Sequence, residues 1–223
     1  MDRILRGGAG WQEAIARALA QATRPINADP RFAPRGVADA AALPRYDRST
    51  FPPARAAATL LLVYPGRDGA LTVPLTVRHA DLRAHAGEIS LPGGAVDATD
   101  VSREATALRE AQEEIGVDPR DVEIAGTLDD IWIPVSNFEL RPIVGTATIP
   151  PVLDPHADEV AEIVELPLGN LLTADVVAEE LIEGPGWVLR AAVYRYEGHR
   201  IWGATARTLA MFAAVLGEAG IAP

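Results

Sequence analysis

The segment from Ser102 to Gly116 constrains this chain more than any other. On a helical wheel advancing about 100° per residue, Val101, Leu108 and Ile115 fall together as one apolar stripe, flanked by Ala111 and Gln112. Glu110, Glu113 and Glu114 fall on the opposite side. Such a two-faced segment reads as a helix over 102–115 packed on a core, with Gly116 as its terminating C′ residue. Glu110 and Glu114 are an i, i+4 pair and Glu110 and Glu113 an i, i+3 pair, so the three carboxylates can converge.

Like charges at those spacings repel, and bound cations would offset the repulsion. The chain has no cysteine, so disulfides, thiolate zinc sites and cysteine nucleophiles are excluded. A metal here must use oxygen or histidine ligands, which favours magnesium or manganese. Taken alone, Glu-x-x-Glu-Glu is more often a solvated acidic face. Its context is more specific, because Leu91-Pro92-Gly93-Gly94 precedes the helix, and paired glycines let backbone approach a ligand.

The remaining pattern is mixed. Trp11 to Ala20 reads as a short amphipathic helix, and residues 24–57, rich in proline and arginine, as an extended arm. Thr59–Tyr64 and Leu71–Val77 read as a strand hairpin, with Pro74 marking an edge or a bulge. Further strands are expected at Val122–Leu128, Ile143–Ala147 and Val160–Leu166, and helical character over Leu168–Ile182. A late hairpin turns at Glu197-Gly198, and a last helix covers Ala204–Leu216. Strands and helices without regular alternation imply an α/β chain with a mixed sheet. The division expected is 1–57 as helix and arm, then 58–223 as the domain.

The combination of Gly-Gly with Arg109-Glu110-Ala111-Gln112-Glu113-Glu114-Ile115-Gly116-Val117 closely resembles the signature of the Nudix hydrolases. That signature is Gly, five residues, Glu, seven residues, then Arg-Glu-(apolar)-x-Glu-Glu-x-Gly-(apolar). The resemblance implies an α/β/α sandwich that cleaves pyrophosphate bonds with Mg²⁺ or Mn²⁺. It implies that Glu110, Glu113 and Glu114 bind metal, that Gly93 or Gly94 adds a carbonyl, and that Arg109 orients a carboxylate. The match departs at one point. Counting from Gly94, the Glu position holds Asp100 in a loop one residue longer, and Val101 when counted back from Arg109. Asp100 or Asp97 is the candidate replacement.

Upstream, Leu75, Thr76, Arg78, Arg83, Gly87 and Pro92-Gly93-Gly94 stand in register with a second motif, resembling the coenzyme A pyrophosphatase branch of the family. Pro74, His79 and Leu91 depart from it, while a lengthened loop is a habit of that branch. By this resemblance Arg78, Arg83 and Gly87 engage the nucleotide side of coenzyme A, giving 3′,5′-ADP and 4′-phosphopantetheine. ADP-ribose, NADH or another nucleoside-diphosphate derivative is the alternative substrate, and a non-catalytic Nudix ligand-binding module the minor one. Family members often carry another acid downstream as metal ligand or base, here Glu159 first and Asp158 second. His79 and His85 read as ordinary loop residues. Trp132 and Phe138 read as packing, with adenine stacking as their alternative.

The expected partner is a small nucleotide substrate. A net charge of −11 argues against nucleic acid or anionic membrane as partners. All 20 basic residues are arginine, so any cationic contact to phosphate must be a guanidinium. No apolar run reaches membrane-spanning length, and a cytoplasmic location is the expectation. A homodimer stays open, as does an N-terminal arm that covers the site or packs between subunits.

Overall fold

The computed structural model describes residues 5–37, 48–79, 88–173, 177–184 and 187–221. In chain order its elements are α1 (Trp11–Gln21), β1 (Arg35–Gly36), β2 (Arg55–Pro65), β3 (Leu71–Arg78), β4 (Ile89–Ser90), β5 (Gly93–Ala95) and α2 (Arg103–Ile115). There follow β6 (Glu123–Thr127), β7 (Ile131–Ile133), β8 (Phe138–Thr146), β9 (Val160–Pro167) and α3 (Leu168–Leu171). The chain closes with β10 (Val177–Gly184), β11 (Trp187–Tyr196), β12 (His199–Ile201) and α4 (Gly203–Glu218).

The larger sheet runs β4-β3-β2-β8-β6, with β5 on β2, β7 on β8 and β9 on β3. It is mixed as expected, since β2 and β8 are parallel while its other pairs are antiparallel. Its central strand β2 is buried on both faces, as an unbroken apolar run requires. Leu60, Leu62 and Tyr64 pack beneath Ala107, Ala111 and Ile115 of α2. Leu61 and Val63 point the other way, into a core shared by Trp11, Ile15 and Leu19 of α1 and by Leu209, Phe212 and Leu216 of α4. Burying each such leucine or isoleucine contributes about 1.5–3 kcal/mol. That grip on both sides holds α2 against the sheet. The first helix therefore shares a core with the sheet on which α2 packs, and Arg24 ties the chain after it to Asp129 (2.6 Å) and to the Thr127 carbonyl (2.6 Å).

Four details differ from the sequence reading. Leu168–Ile182 is not one helix: only Leu168–Leu171 is helical, and β10 pairs with β11 at eight positions. Cross-strand pairing overrides local helical propensity there, with Glu180 accepting from Arg195 across the ladder. Val101 does not join the apolar stripe. It is 93% exposed, because the helix starts only at Arg103, capped by the Ser102 hydroxyl. Gly93-Gly94 is a short strand pressed on β2 rather than a turn. Pro74 lies inside β3, in the gap where pairing to β2 has ended at Thr72 and pairing to β4 has yet to begin at Thr76, so its missing N–H costs no ladder bond on that side. The late hairpin is as expected, with Glu197 and Gly198 both at positive φ, the backbone twist that tight hairpins prefer. Among the described residues no helix is long and apolar enough to cross a membrane.

Candidate active site

The site is built where β5, β3 and the last turns of α2 meet. Gly93 and Gly94 pair with Thr59 and Ala58 of β2, and an added Cβ at either would meet a close neighbour. A Cβ on Gly93 would stand 2.5 Å from the Ala58 carbonyl oxygen, and one on Gly94 would stand 2.5 Å from the Glu110 carboxylate. The two glycines thus do different work: the first lets β5 close on the sheet, the second lets backbone reach a carboxylate.

Glu114 is buried, at 7% exposure. The Gly93 N–H donates to its carboxylate, yet its Oε2 has no hydrogen-bond partner among the described residues. Burial pushes its pKa up to about 7, the neighbouring Glu110 and Glu159 add to the rise, and Arg78 opposes it. Glu110 is also raised, by burial first, against the pull of Arg109. A buried carboxylate oxygen left unpaired is costly and marks a place that a ligand can complete.

Glu113 goes elsewhere. Its side chain is 59% exposed and lies 3.0 Å from Arg109 Nη1. Among the described residues no three acids or histidines are grouped closely enough to hold a metal ion. The structure therefore brings Glu110 and Glu114 together and turns Glu113 outward. The donors that remain are hard oxygens, one of them buried and unpaired, beside the backbone of Gly93 and Gly94. That set fits magnesium or manganese in kind.

Asp100 answers the question left by the lengthened loop. Both its oxygens engage Arg109, from Nε (3.0 Å) and from Nη2 (3.0 Å). Its Oδ2 also accepts from the Thr106 hydroxyl (2.8 Å) and the Asp97 N–H (2.9 Å). The Arg109 guanidinium, first among these, holds the Asp100 pKa well below the usual carboxylate range. Asp97 is spent locally, accepting from Thr99. Arg109 reaches on to Glu110 Oε1 (2.8 Å) and to the Ala95 carbonyl (3.3 Å). Thr106 was not singled out by sequence reasoning. A buried threonine six residues past an acid offers no signal until the loop is folded.

Arg78 closes β3 beside a register shift against β9, a local kink that re-aims a side chain. Its Nε is buried with no hydrogen-bond partner among the described residues. Arg83 and Gly87, with His85, lie outside the described residues. Glu159 is exposed but close enough to raise both Glu110 and Glu114. Its segment is sewn to the end of α2. The Asp154 N–H donates to the Ile115 carbonyl (2.9 Å), and the His156 N–H to that of Glu114 (2.9 Å), filling carbonyls a helix end leaves open. The His79 N–H bonds the Glu159 carbonyl (3.3 Å), joining that segment to the end of β3. An open depression of about 450 Å³ flanks this junction, lined by Gln112, Glu113, Asp154, His156 and Asp158 among others. Trp132 and Phe138 are packed: Trp132 meets Phe51 edge-on at 5.1 Å and Phe138 lies under Arg55 at 4.1 Å.

The NUDIX domain matches residues 53–180. The uncharacterized Nudix hydrolase NudL of Citrobacter koseri is 39% identical over 176 residues, covering 78% of this chain and 88% of that protein. NudL of Cronobacter sakazakii is 39% identical over 177 residues, covering 78% and 89%. Among solved structures, the Nudix hydrolase RenU of M. smegmatis is 26% identical with a TM-score of 0.42, covering 53% of this chain and 73% of that one.

Proposed function

This chain belongs to the Nudix hydrolase family, whose members act on pyrophosphate bonds and generally use divalent metal ions, and we propose that its substrate is coenzyme A or a close derivative. The products would be 3′,5′-ADP and 4′-phosphopantetheine. The observation that carries the reading is a matched pair of unmet groups: the buried Nε of Arg78 and the buried Oε2 of Glu114. The charge of Arg78 is felt at Glu114, so the two groups lie near one another. One side lacks an anion, the other a cation. A phosphate ester carrying a divalent cation supplies both.

Glu110 and Glu114 would hold the cation, with a carbonyl of Gly93 or Gly94 as a further oxygen donor and Glu113 as a third acid. A bound Mg²⁺ or Mn²⁺ draws charge from phosphoryl oxygens and lowers the pKa of an attacking water. Arg109, anchored on Asp100, orients Glu110. Glu159 is the candidate to accept the proton of the attacking water, since it faces the same pair of acids from the β9 side. Arg78 binds a substrate phosphate, and the sequence register of Arg83 and Gly87 supports the same role for them.

The test is a panel of coenzyme A, ADP-ribose and NADH with Mg²⁺ or Mn²⁺, products identified by mass. Coenzyme A is expected to be cut fastest. Replacing Arg78 with Ala, which removes one charged hydrogen bond, should raise KM by about tenfold or more while metal affinity stays. Intact coenzyme A beside cleaved ADP-ribose would overturn the substrate assignment.

A further inference from the structure

We propose that Thr59 is a positioning residue for the cleft: its hydroxyl fixes the Pro92–Gly93 peptide, so that the Gly93 N–H takes one oxygen of Glu114 and leaves the other open. The inference rests on the reading of Glu114 as a working acid and adds to it a residue of the central strand.

From Ala56 to Val63, Thr59 is the only polar side chain in β2. By strand alternation it shares the face of Leu61 and Val63, away from α2. It is 4% exposed. Valine would suit that place in a strand at least as well, and a buried hydroxyl is costly unless it is bonded. This one donates to the Pro92 carbonyl (2.7 Å). The same carbonyl already accepts from the Leu60 N–H (2.9 Å), so its need for a partner is met without Thr59. What the hydroxyl adds is direction.

A trans peptide is planar, with its C=O and N–H on opposite sides. With the Pro92 oxygen held by a backbone donor and a side-chain donor, the plane cannot rock about either bond. The Gly93 N–H on its other side is thereby kept on the Glu114 carboxylate. Bonds to the oxygen also polarise the amide and strengthen what its N–H donates. Glycine needs this restraint, because it has no Cβ to limit rotation. Gly93 lies directly on Thr59, since a Cβ there would stand 2.8 Å from the Thr59 Cβ. Oε2 of Glu114 has no partner among the described residues, so the Gly93 bond falls on Oε1. Without the hydroxyl, the carboxylate loses the hold that decides which oxygen stays open. Thr59 touches no ligand and acts only through Gly93.

The test compares Thr59→Val, which keeps the shape, with Thr59→Ser, which keeps the hydroxyl, in the full chain with folding checked by circular dichroism. Amide hydrogen exchange is read by nuclear magnetic resonance without metal, and Mn²⁺ affinity by the electron paramagnetic resonance of free Mn²⁺. In Thr59→Val the Gly93 amide should exchange at least about tenfold faster, while those of Leu62 and Ile143 stay within about twofold of wild type. Mn²⁺ should bind that variant about tenfold more weakly. Thr59→Ser should stay within about twofold of wild type in both readouts. Unchanged Gly93 exchange in Thr59→Val would overturn the role. So would a uniform rise across β2 and β8, which marks lost stability alone, or a Thr59→Ser as impaired as Thr59→Val. Absence of Mn²⁺ binding in wild type would sink the metal-dependent reading instead, and Gly93 exchange would still decide whether Thr59 holds the peptide.

Discussion

The two ends of α2 carry similar charges and opposite degrees of satisfaction. At the N-terminal end Arg103 reaches the Glu139 carbonyl (3.0 Å) and its carboxylate (3.2 Å), Arg48 pairs with the same acid, and Arg141 makes two 2.8 Å bonds to Asp130. Each charge there has a partner. At the C-terminal end Glu114 Oε2 and Arg78 Nε have none among the described residues. Both ends hold acids and arginines near aromatic or glycine-rich backbone, so composition does not tell them apart. Satisfaction does: one end completes its own network, and the other leaves two charged groups open, as the proposed site requires.

The sharpest way to break that contrast is Glu114→Gln, which keeps shape and removes charge. Hydrolysis is expected to fall by at least about a hundredfold, measured as kcat/KM with Mg²⁺. An activity near wild type would erase the distinction between the two ends.

The second effect is on stability. Glu114 rises from the usual 4.5 to about 7, so the folded protein holds this proton more tightly than the unfolded chain does. Its contribution is then fully present below pH 4.5 and is lost as pH rises through 7, on the order of a few kcal/mol in metal-free protein. Melting temperatures in EDTA should fall from pH 5 to pH 8 more steeply in wild type than in Glu114→Gln. Equal slopes would contradict the burial argument.

The adjacent glycines sharpen the comparison within a single strand. An added Cβ on Gly93 meets backbone, and one on Gly94 meets the end of the Glu110 side chain. Gly93→Ala should cost about 1–3 kcal/mol of stability, read by urea unfolding. Gly94→Ala should leave the melt nearly unchanged and reduce hydrolysis by about tenfold, since displaced ligands are felt in rate. The smallest effect is expected at the other end of α2. Arg141→Ala removes a partly exposed pair and should cost no more than about 1 kcal/mol, with hydrolysis unchanged.

Much of this was legible in residue order. Of the stripe Val101, Leu108 and Ile115 with its flank of Ala111 and Gln112, Leu108, Ala111 and Ile115 do pack on the sheet, whereas Val101 and Gln112 are exposed; Ser102 and Gly116 mark the ends of α2. What order does not carry is long-range competition. Glu113 obeys the helical spacing as well as Glu110 does, yet Arg109 and solvent take it. Val177–Gly184 has helix-forming residues, yet an eight-position ladder with β11 makes it a strand. The shift of the loop acid to Asp100 was visible as an irregularity, but only the bonds from Arg109 and Thr106 show what the extra residue does.

The most direct test is anomalous diffraction from crystals grown with Mn²⁺. The account predicts a manganese peak within ligating distance of Glu114 Oε2 and the Glu110 carboxylate, beside the backbone of Gly93 and Gly94. An empty cleft there, with manganese found only on exposed acids such as Glu113 or Asp158, would contradict it.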